Sequence, residues 1–203
     1  MDKENVRKII EETRGVNLVV ASKYIDSSAI LELYSLGIKD FGENRSDAFL
    51  KKYEELKDTD ITWHFIGHLQ TNKAKQVIGK IDCLHSLDSL KLADIINKNR
   101  KDKLKCFVEV HMTDSLTKNG VNKSELTSFL NALKEYEKVE VIGLMTMTEE
   151  AQSDEEKYRV FCELKQLANA NNLKELSMGM SEDYKLAIKA GATYIRLGRI
   201  ICS

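Results

Sequence analysis

Short β-branched or apolar runs alternate with longer stretches of helical period along the whole chain, and this alternation restricts the fold more than any single motif does. A period of two gives way repeatedly to one near 3.6, the pattern of parallel strands joined by crossover helices. The strand candidates are Val16 to Ser22, Lys39 to Phe41, Thr62 to Ile66, Cys83 to His85, Leu104 to Val110, Val139 to Gly143, Glu175 to Leu176 and Thr193 to Leu197. The helix candidates between them are Ser27 to Leu36, Arg45 to Leu56, Thr71 to Ile78, Ser89 to Lys98, Lys123 to Glu137, Ser153 to Asn171 and Glu182 to Ala190. Another helix, Lys3 to Thr13, puts Val6, Ile9 and Ile10 on one face ahead of the first strand, and no residues remain for a helix after the eighth. Eight of each element in an α/β chain predict a single (β/α)8 TIM barrel at the lower size limit for that fold, in preference to a doubly wound sheet. No Gly/Ser-rich linker interrupts the pattern, so residues 1–203 are read as one domain, with His111 to Asn122 as a strand-end loop.

Composition fits a packed intracellular domain. A chain of 203 residues, 42% hydrophobic, can bury roughly 70% of its unfolded surface. Its 31 Lys and Arg nearly balance 32 Asp and Glu, for a formal net charge of -1, so no positive field is available to hold nucleic acid or an anionic membrane. Cys83, Cys106, Cys162 and Cys202 are far apart and form no CxxC pair, which reads as reduced thiols rather than a disulfide framework. The charged start, Met1 to Lys8, leads into no long apolar run, so neither a signal peptide nor a membrane span is expected and a cytoplasmic location is. Proline is absent, so helix starts depend on side-chain caps.

In a barrel of this kind the site opens at the carboxyl ends of the strands, and the loops after the seventh and eighth strands commonly hold phosphate. The chemically capable residues obey that rule. Lys23 follows the first strand, Gly42-Glu43-Asn44 the second, Gly67 the third, Gly143-Leu144-Met145 the sixth, and Ser177 and Arg196 to Arg199 the last two. An amine at a strand end can form a Schiff base with an aldehyde. A hydroxyl at Ser177 and the amides of Gly198 and Arg199 suit a phosphate dianion. The combination of amine and phosphate cradle suggests pyridoxal phosphate, although a lone lysine is most often solvated and a glycine after a strand is most often a turn. Arg196 turned inward would set a permanent cation opposite a ring or a phosphate; turned outward it would join a surface ion pair, and spacing does not choose. His64 and His68 are four apart, but a strand under the first and Gly67 before the second argue against a zinc site, so no metal is assigned. His64 is expected to line the barrel or to satisfy a buried hydrogen bond. Acidic runs such as Asp154-Glu155-Glu156 read as solvated helix starts.

Six ordered blocks carry a more specific signal: VVASKYID, FGENRSDAFLKKYEEL, WHFIGHLQTNKAKQV, FVEVHMTDSLTKNGV, VIGLMTM and LSMGMSEDYKLAIKAGATYIRLGR. Together they closely resemble the YggS/PROSC family of pyridoxal phosphate homeostasis proteins, nearly end to end. The resemblance implies a fold-type-III barrel like the amino-terminal domain of alanine racemase, binding pyridoxal 5'-phosphate. It implies Lys23 as the Schiff-base lysine, Ser177 with the amides of Gly198 and Arg199 as the phosphate cradle, and Arg196 as partner of the pyridine nitrogen. A cation there weakens the ring as an electron sink. Asn44, His64, Ile66 and Met145 are implied as walls around the ring, and Lys118 in TKNG as a second lysine near the mouth. Two departures stand out. The family commonly has a proline shortly after the SK lysine, whereas this chain has Tyr24-Ile25-Asp26-Ser27, where Asp26 or Ser27 can cap the next helix. The chain also stops at Ser203, leaving no residues for the second domain with which racemases complete their site.

These readings favour a monomeric protein that stores, shields or delivers pyridoxal phosphate within intracellular homeostasis, with pyridoxal-phosphate-dependent apoenzymes as recipients, over an enzyme. The alternatives are a small racemase-like enzyme, for which no catalytic acid or base is evident, and a class I aldolase-like barrel acting through Lys23. Release signals, recipient identity and the role of Lys118 are not legible in the sequence.

Overall fold

The computed structural model describes residues 2–112 and 119–202. The eight long strands of the barrel are β1 (Asn17–Ala21), β2 (Asp40–Glu43), β3 (Thr62–Phe65), β4 (Cys83–Leu87), β5 (Leu104–His111), β7 (Val139–Met145), β8 (Glu175–Ser177) and β9 (Tyr194–Leu197). A two-residue strand, β6 (Val121–Asn122), lies between β5 and β7 in sequence and pairs outside the barrel with the end of β5. Every pairing is parallel, and the β4–β5 and β1–β9 contacts close the ring. The predicted (β/α)8 barrel is therefore what the chain forms.

Helices α1 (Lys3–Glu12), α2 (Ser27–Ser35), α3 (Ser46–Leu56), α4 (Thr71–Val77), α5 (Leu90–Asn99), α6 (Leu126–Leu133), α7 (Asp154–Ala170) and α8 (Tyr184–Ala190) form the outer layer. Caps stand in for the missing prolines. Asp2 accepts from the amides of Glu4 and Asn5, Asp26 from Ala29, and Ser153 and Glu156 build a reciprocal capping box at α7. The expected helix over 123–137 is shorter: a 3-10 turn at Lys123–Glu125 leads into α6, which ends at Leu133. The expectation of no helix after the last strand is corrected by α9 (Arg199–Cys202), one turn that begins immediately beyond Gly198.

Period-two alternation sorts the strand residues into two cores. Trp63, Phe65, Leu84, Cys106, Val108, Leu144, Leu176, Ile195 and Leu197 face the helices and join the main apolar core. Inside the barrel a small cluster of Cys83, Phe107 and Met145 packs with Ile142 and Tyr194, among buried polar groups described below. Met145 belongs to this interior because β7 runs two residues past Gly143, where the sequence suggested a loop. β7 and β8 approach so closely that a Cβ on Gly143 would lie 2.0 Å from the Glu175 carbonyl oxygen. Gly143→Ala is expected to lower stability by about 2–3 kcal/mol, because backbone rather than a flexible side chain must move. Urea unfolding checks this against Gly79→Ala, whose added Cβ meets nothing within 4 Å and whose midpoint should hardly shift.

Candidate functional site

Parallel pairing of β1 with β9 aligns Val19 with Arg196 and Val20 with Leu197, so the segments following both strands emerge on one rim. Two cavities meet there. One of about 240 Å³ is lined by Lys23, Asn44, Ile66, Glu109, Met147 and Arg196, among others. The other, about 120 Å³, is lined by Lys23, Ser181, Asp183, Arg196, Gly198 and Arg199, among others. Ala21, Lys23, Met180 and Arg196 border both, so they form a single divided mouth.

The turn that carries Lys23 is braced from below. Ser22 donates its hydroxyl to Glu43 Oε1 at 2.9 Å, and Lys52, reaching in from α3, donates to the Ser22 carbonyl at 2.7 Å and to Glu43 Oε1. Glu43 is fully buried, and its other oxygen accepts the Asn44 amide at 3.3 Å. This charge pair ties the end of β1 to the end of β2, fixing Lys23 and Asn44 relative to each other. Lys23 itself is exposed, with Nζ 4.7 Å from the centre of the Tyr24 ring. Asn44 Oδ1 is buried without a hydrogen-bond partner among the described residues, an unusual state for a side-chain acceptor.

The smaller cavity is built by the loop after β8 and the start of α9. Gly179 has φ of 95° and no room for a Cβ, which would sit 2.5 Å from that of Ala187. That turn throws Ser181 toward the rim, where its Oγ accepts the Gly198 amide at 3.3 Å. Buried Asp183 anchors the loop by accepting from the Met180 amide at 2.6 Å and from the Thr148 hydroxyl at 2.5 Å. A Cβ on Gly198 would meet only Ala21, at an ordinary 3.4 Å, so the protein's own packing leaves this position open. The Arg199 side chain faces outward to Glu182 at 2.7 Å and Glu150 at 3.6 Å.

The structure separates three expected site residues from this mouth. Ser177 is fully buried inside the barrel, against His85 Nδ1 at 2.7 Å and Arg196 Nη1, because β8 continues through it. The rim position expected for it is occupied by Ser181. His64 lies deeper still, between His85 Nε2 and Asp40 Oδ1, each at 2.9 Å, and is thus the buried hydrogen-bonding histidine of the two readings left open. Met145 is in the interior cluster, and Met147 lines the cavity in its place. Lys118 lies outside the described residues. Asn44, Ile66, Lys23, Arg196, Gly198 and Arg199 do converge on the mouth.

Arg196 turned inward. It is buried, donates from Nη2 to the Thr146 carbonyl at 3.0 Å, and burial draws its pKa down to about 10, with Glu109 and Asp183 acting in the opposite sense. Glu109 was not singled out in the sequence, although a carboxylate inside the apolar run FVEV was a signal. It faces the cavity with its pKa raised to about 7, first by burial and then by Asp88, against the pull of Arg196 and His68. His64, Cys83 and His85 form the metal-type cluster found among the described residues, their ligand atoms lying within 4.8 Å of one another. The two facing imidazole nitrogens are spent on each other, and burial pushes the Cys83 thiol well up, which makes this a hydrogen-bonded packing cluster.

An alanine-racemase-type barrel with a lysine, a serine and a glycine-led helix start on one rim is the class defined by fold and site. The family model for the alanine racemase N-terminal domain matches residues 3–202. A curated relative from Aquifex aeolicus, a pyridoxal phosphate homeostasis protein, is 40% identical over 98% of this chain and 92% of its own length. The Escherichia coli K12 protein of the same name is 32% identical over 92% of this chain and 84% of its own. PipY from Synechococcus elongatus, solved with pyridoxal phosphate bound, superposes with a TM-score of 0.91 at 31% identity, covering 98% of this chain and 99% of that one. Alanine racemase from Clostridium difficile, at 15% identity and a TM-score of 0.76, shares the fold over 98% of this chain and 56% of that one. The chain belongs to the family of pyridoxal phosphate homeostasis proteins.

Two outcomes follow from the buried charges. Glu43→Gln strands the Lys52 ammonium and should cost about 3 kcal/mol in urea unfolding, while Glu43→Gln with Lys52→Met should recover much of it. Glu109 has a folded value above its ordinary 4.5, so it favours the fold while protonated: its contribution is complete below about 4.5 and is lost as pH rises through about 7. Cofactor-free protein should therefore lose up to about 3 kcal/mol from this residue between pH 5 and 8, and Glu109→Gln should flatten that slope in denaturation curves.

Proposed function

We propose that the divided mouth holds pyridoxal 5'-phosphate, captured by Lys23, and that residues 1–203 act as one unit that stores, shields and delivers the cofactor rather than as an enzyme. The observation that carries this reading is the convergence of Lys23 and Arg196 on both cavities, one of which ends in backbone amides and Ser181. When bound, pyridoxal phosphate supplies an aldehyde that a primary amine captures reversibly, a phosphate dianion and a ring nitrogen. The residues fit those three groups. Lys23 Nζ is the nucleophile, and Glu109, titrating near neutrality on the same cavity wall, takes up the proton the amine sheds. The amides of Gly198 and Arg199, with the Ser181 hydroxyl, receive the phosphate. Arg196 faces the ring nitrogen as a cation and keeps that nitrogen from being protonated, which disfavours carbanion chemistry. Asn44 and Ile66 form walls.

Support for a carrier also comes from the relatives, which are named for homeostasis and not for a reaction. No helix among the described residues is long and apolar enough to cross a membrane, in keeping with the cytoplasmic location proposed, and free apoenzymes are the recipients such a monomeric carrier would serve. Protein loaded with pyridoxal phosphate should show a cofactor absorption band that Lys23→Ala abolishes. Borohydride followed by mass analysis should place the label on Lys23, and a panel of D- and L-amino acids should show no turnover. Label on Lys118 or another lysine, or steady racemisation, would refute the assignment.

A further inference from the structure

Resting on the reading that Arg196 meets the cofactor ring, we propose that Ser177, His85, His64 and Asp40 form a one-directional hydrogen-bond relay that positions Arg196 from the opposite end of the barrel. The contacts are continuous. Arg196 Nη1 meets Ser177 Oγ, Ser177 Oγ lies 2.7 Å from His85 Nδ1, His85 Nε2 lies 2.9 Å from His64 Nδ1, and His64 Nε2 lies 2.9 Å from Asp40 Oδ1. Asp40 opens β2 and so stands at the barrel floor, with its side chain 37% exposed, whereas every other member is buried.

When both rings are neutral, the two ends dictate every proton between them. A guanidinium only donates and a carboxylate only accepts. Arg196 therefore donates to Ser177, whose single hydroxyl proton goes on to His85 Nδ1. That nitrogen accepts, so His85 carries its proton on Nε2 and donates to His64 Nδ1. His64 in turn carries its proton on Nε2 and donates to Asp40. With both imidazoles neutral, one arrangement satisfies all four links, and reversing any link then leaves two donors or two acceptors face to face in a buried site, which costs more than a bond in solvent would. Burial also holds His85 well below its ordinary value, with His64 and Arg196 adding to the effect, so the ring is not protonated at neutral pH. Asp40 and both histidines are thus positioning residues, and Ser177 is the joint through which they orient the guanidinium.

Two measurements test this. In cofactor-free protein labelled with 15N-histidine, long-range nitrogen–proton spectra should show His64 and His85 each protonated on Nε2; an Nδ1 proton on either overturns the relay. In equilibrium dialysis with pyridoxal phosphate, Ser177→Ala should weaken binding about tenfold by freeing the guanidinium. Asp40→Ala should weaken it by a smaller factor, and Asp40→Asn should recover most of that loss because its amide oxygen still accepts from His64. If Arg196→Gln weakens binding while Ser177→Ala does not, the relay fails and the site reading stands. If Arg196→Gln itself changes nothing, the assigned role of Arg196 fails and the purpose of the relay fails with it.

Discussion

The parallel ladder between β1 and β9 is the constraint on which the rest depends. It is the last pairing needed to close the barrel, and it joins elements that begin at Asn17 and end at Leu197, nearly the full length of the chain apart. Being parallel, it delivers both carboxyl ends to the same rim. An antiparallel edge strand, common in mixed sheets, would have sent Lys23 and Gly198 to opposite faces. The amine and the backbone amides share a mouth because of strand direction, and the individual side chains only refine what that direction sets up.

Two buried polar systems then fix the rim's two sides. On the β1 side the Glu43–Lys52 pair clamps the Ser22 carbonyl and the Asn44 amide. On the β9 side Arg196 is held by Thr146 and by the chain of groups that begins at Ser177. Ionised groups this deep do not outperform apolar packing in stability, so their value lies in orientation. A leucine could fill the space of His85, but it could not tell Arg196 which way to point. The barrel interior accordingly gives up part of its apolar core to a line of hydrogen bonds, and the main hydrophobic burial shifts to the layer between strands and helices.

Period was enough to read the barrel, because each strand presents an apolar face to the helices and each helix a stripe to the strands. Lys23, Asn44, Arg196, Gly198 and Arg199 were legible because each lies at or just beyond the end of a strand at the rim, and Ile66 through the family resemblance. Depth was not legible. Whether Ser177 or Ser181 reaches the mouth depends on where β8 stops and on the Gly179 turn, and whether Met145 or Met147 does so depends on two further residues of β7. A strand boundary misplaced by two residues keeps the face and changes the layer, so the interior was populated with the right faces at the wrong heights. Asp40, Glu109 and His85 escaped notice for a different reason: their hydrogen-bond or charge partners lie on other strands, and strand pairing brings together residues that sequence distance keeps apart.

The seam between β1 and β9 is also where a ligand would act on the fold. Both borders of the mouth lie on or just beyond the two strands that close the ring, Lys23 after β1 on one side and Arg196 in β9 with Gly198 after it on the other. A molecule gripped by both sides bridges that closure and binds the folded chain alone, so it adds stability that grows with the logarithm of its concentration over its dissociation constant.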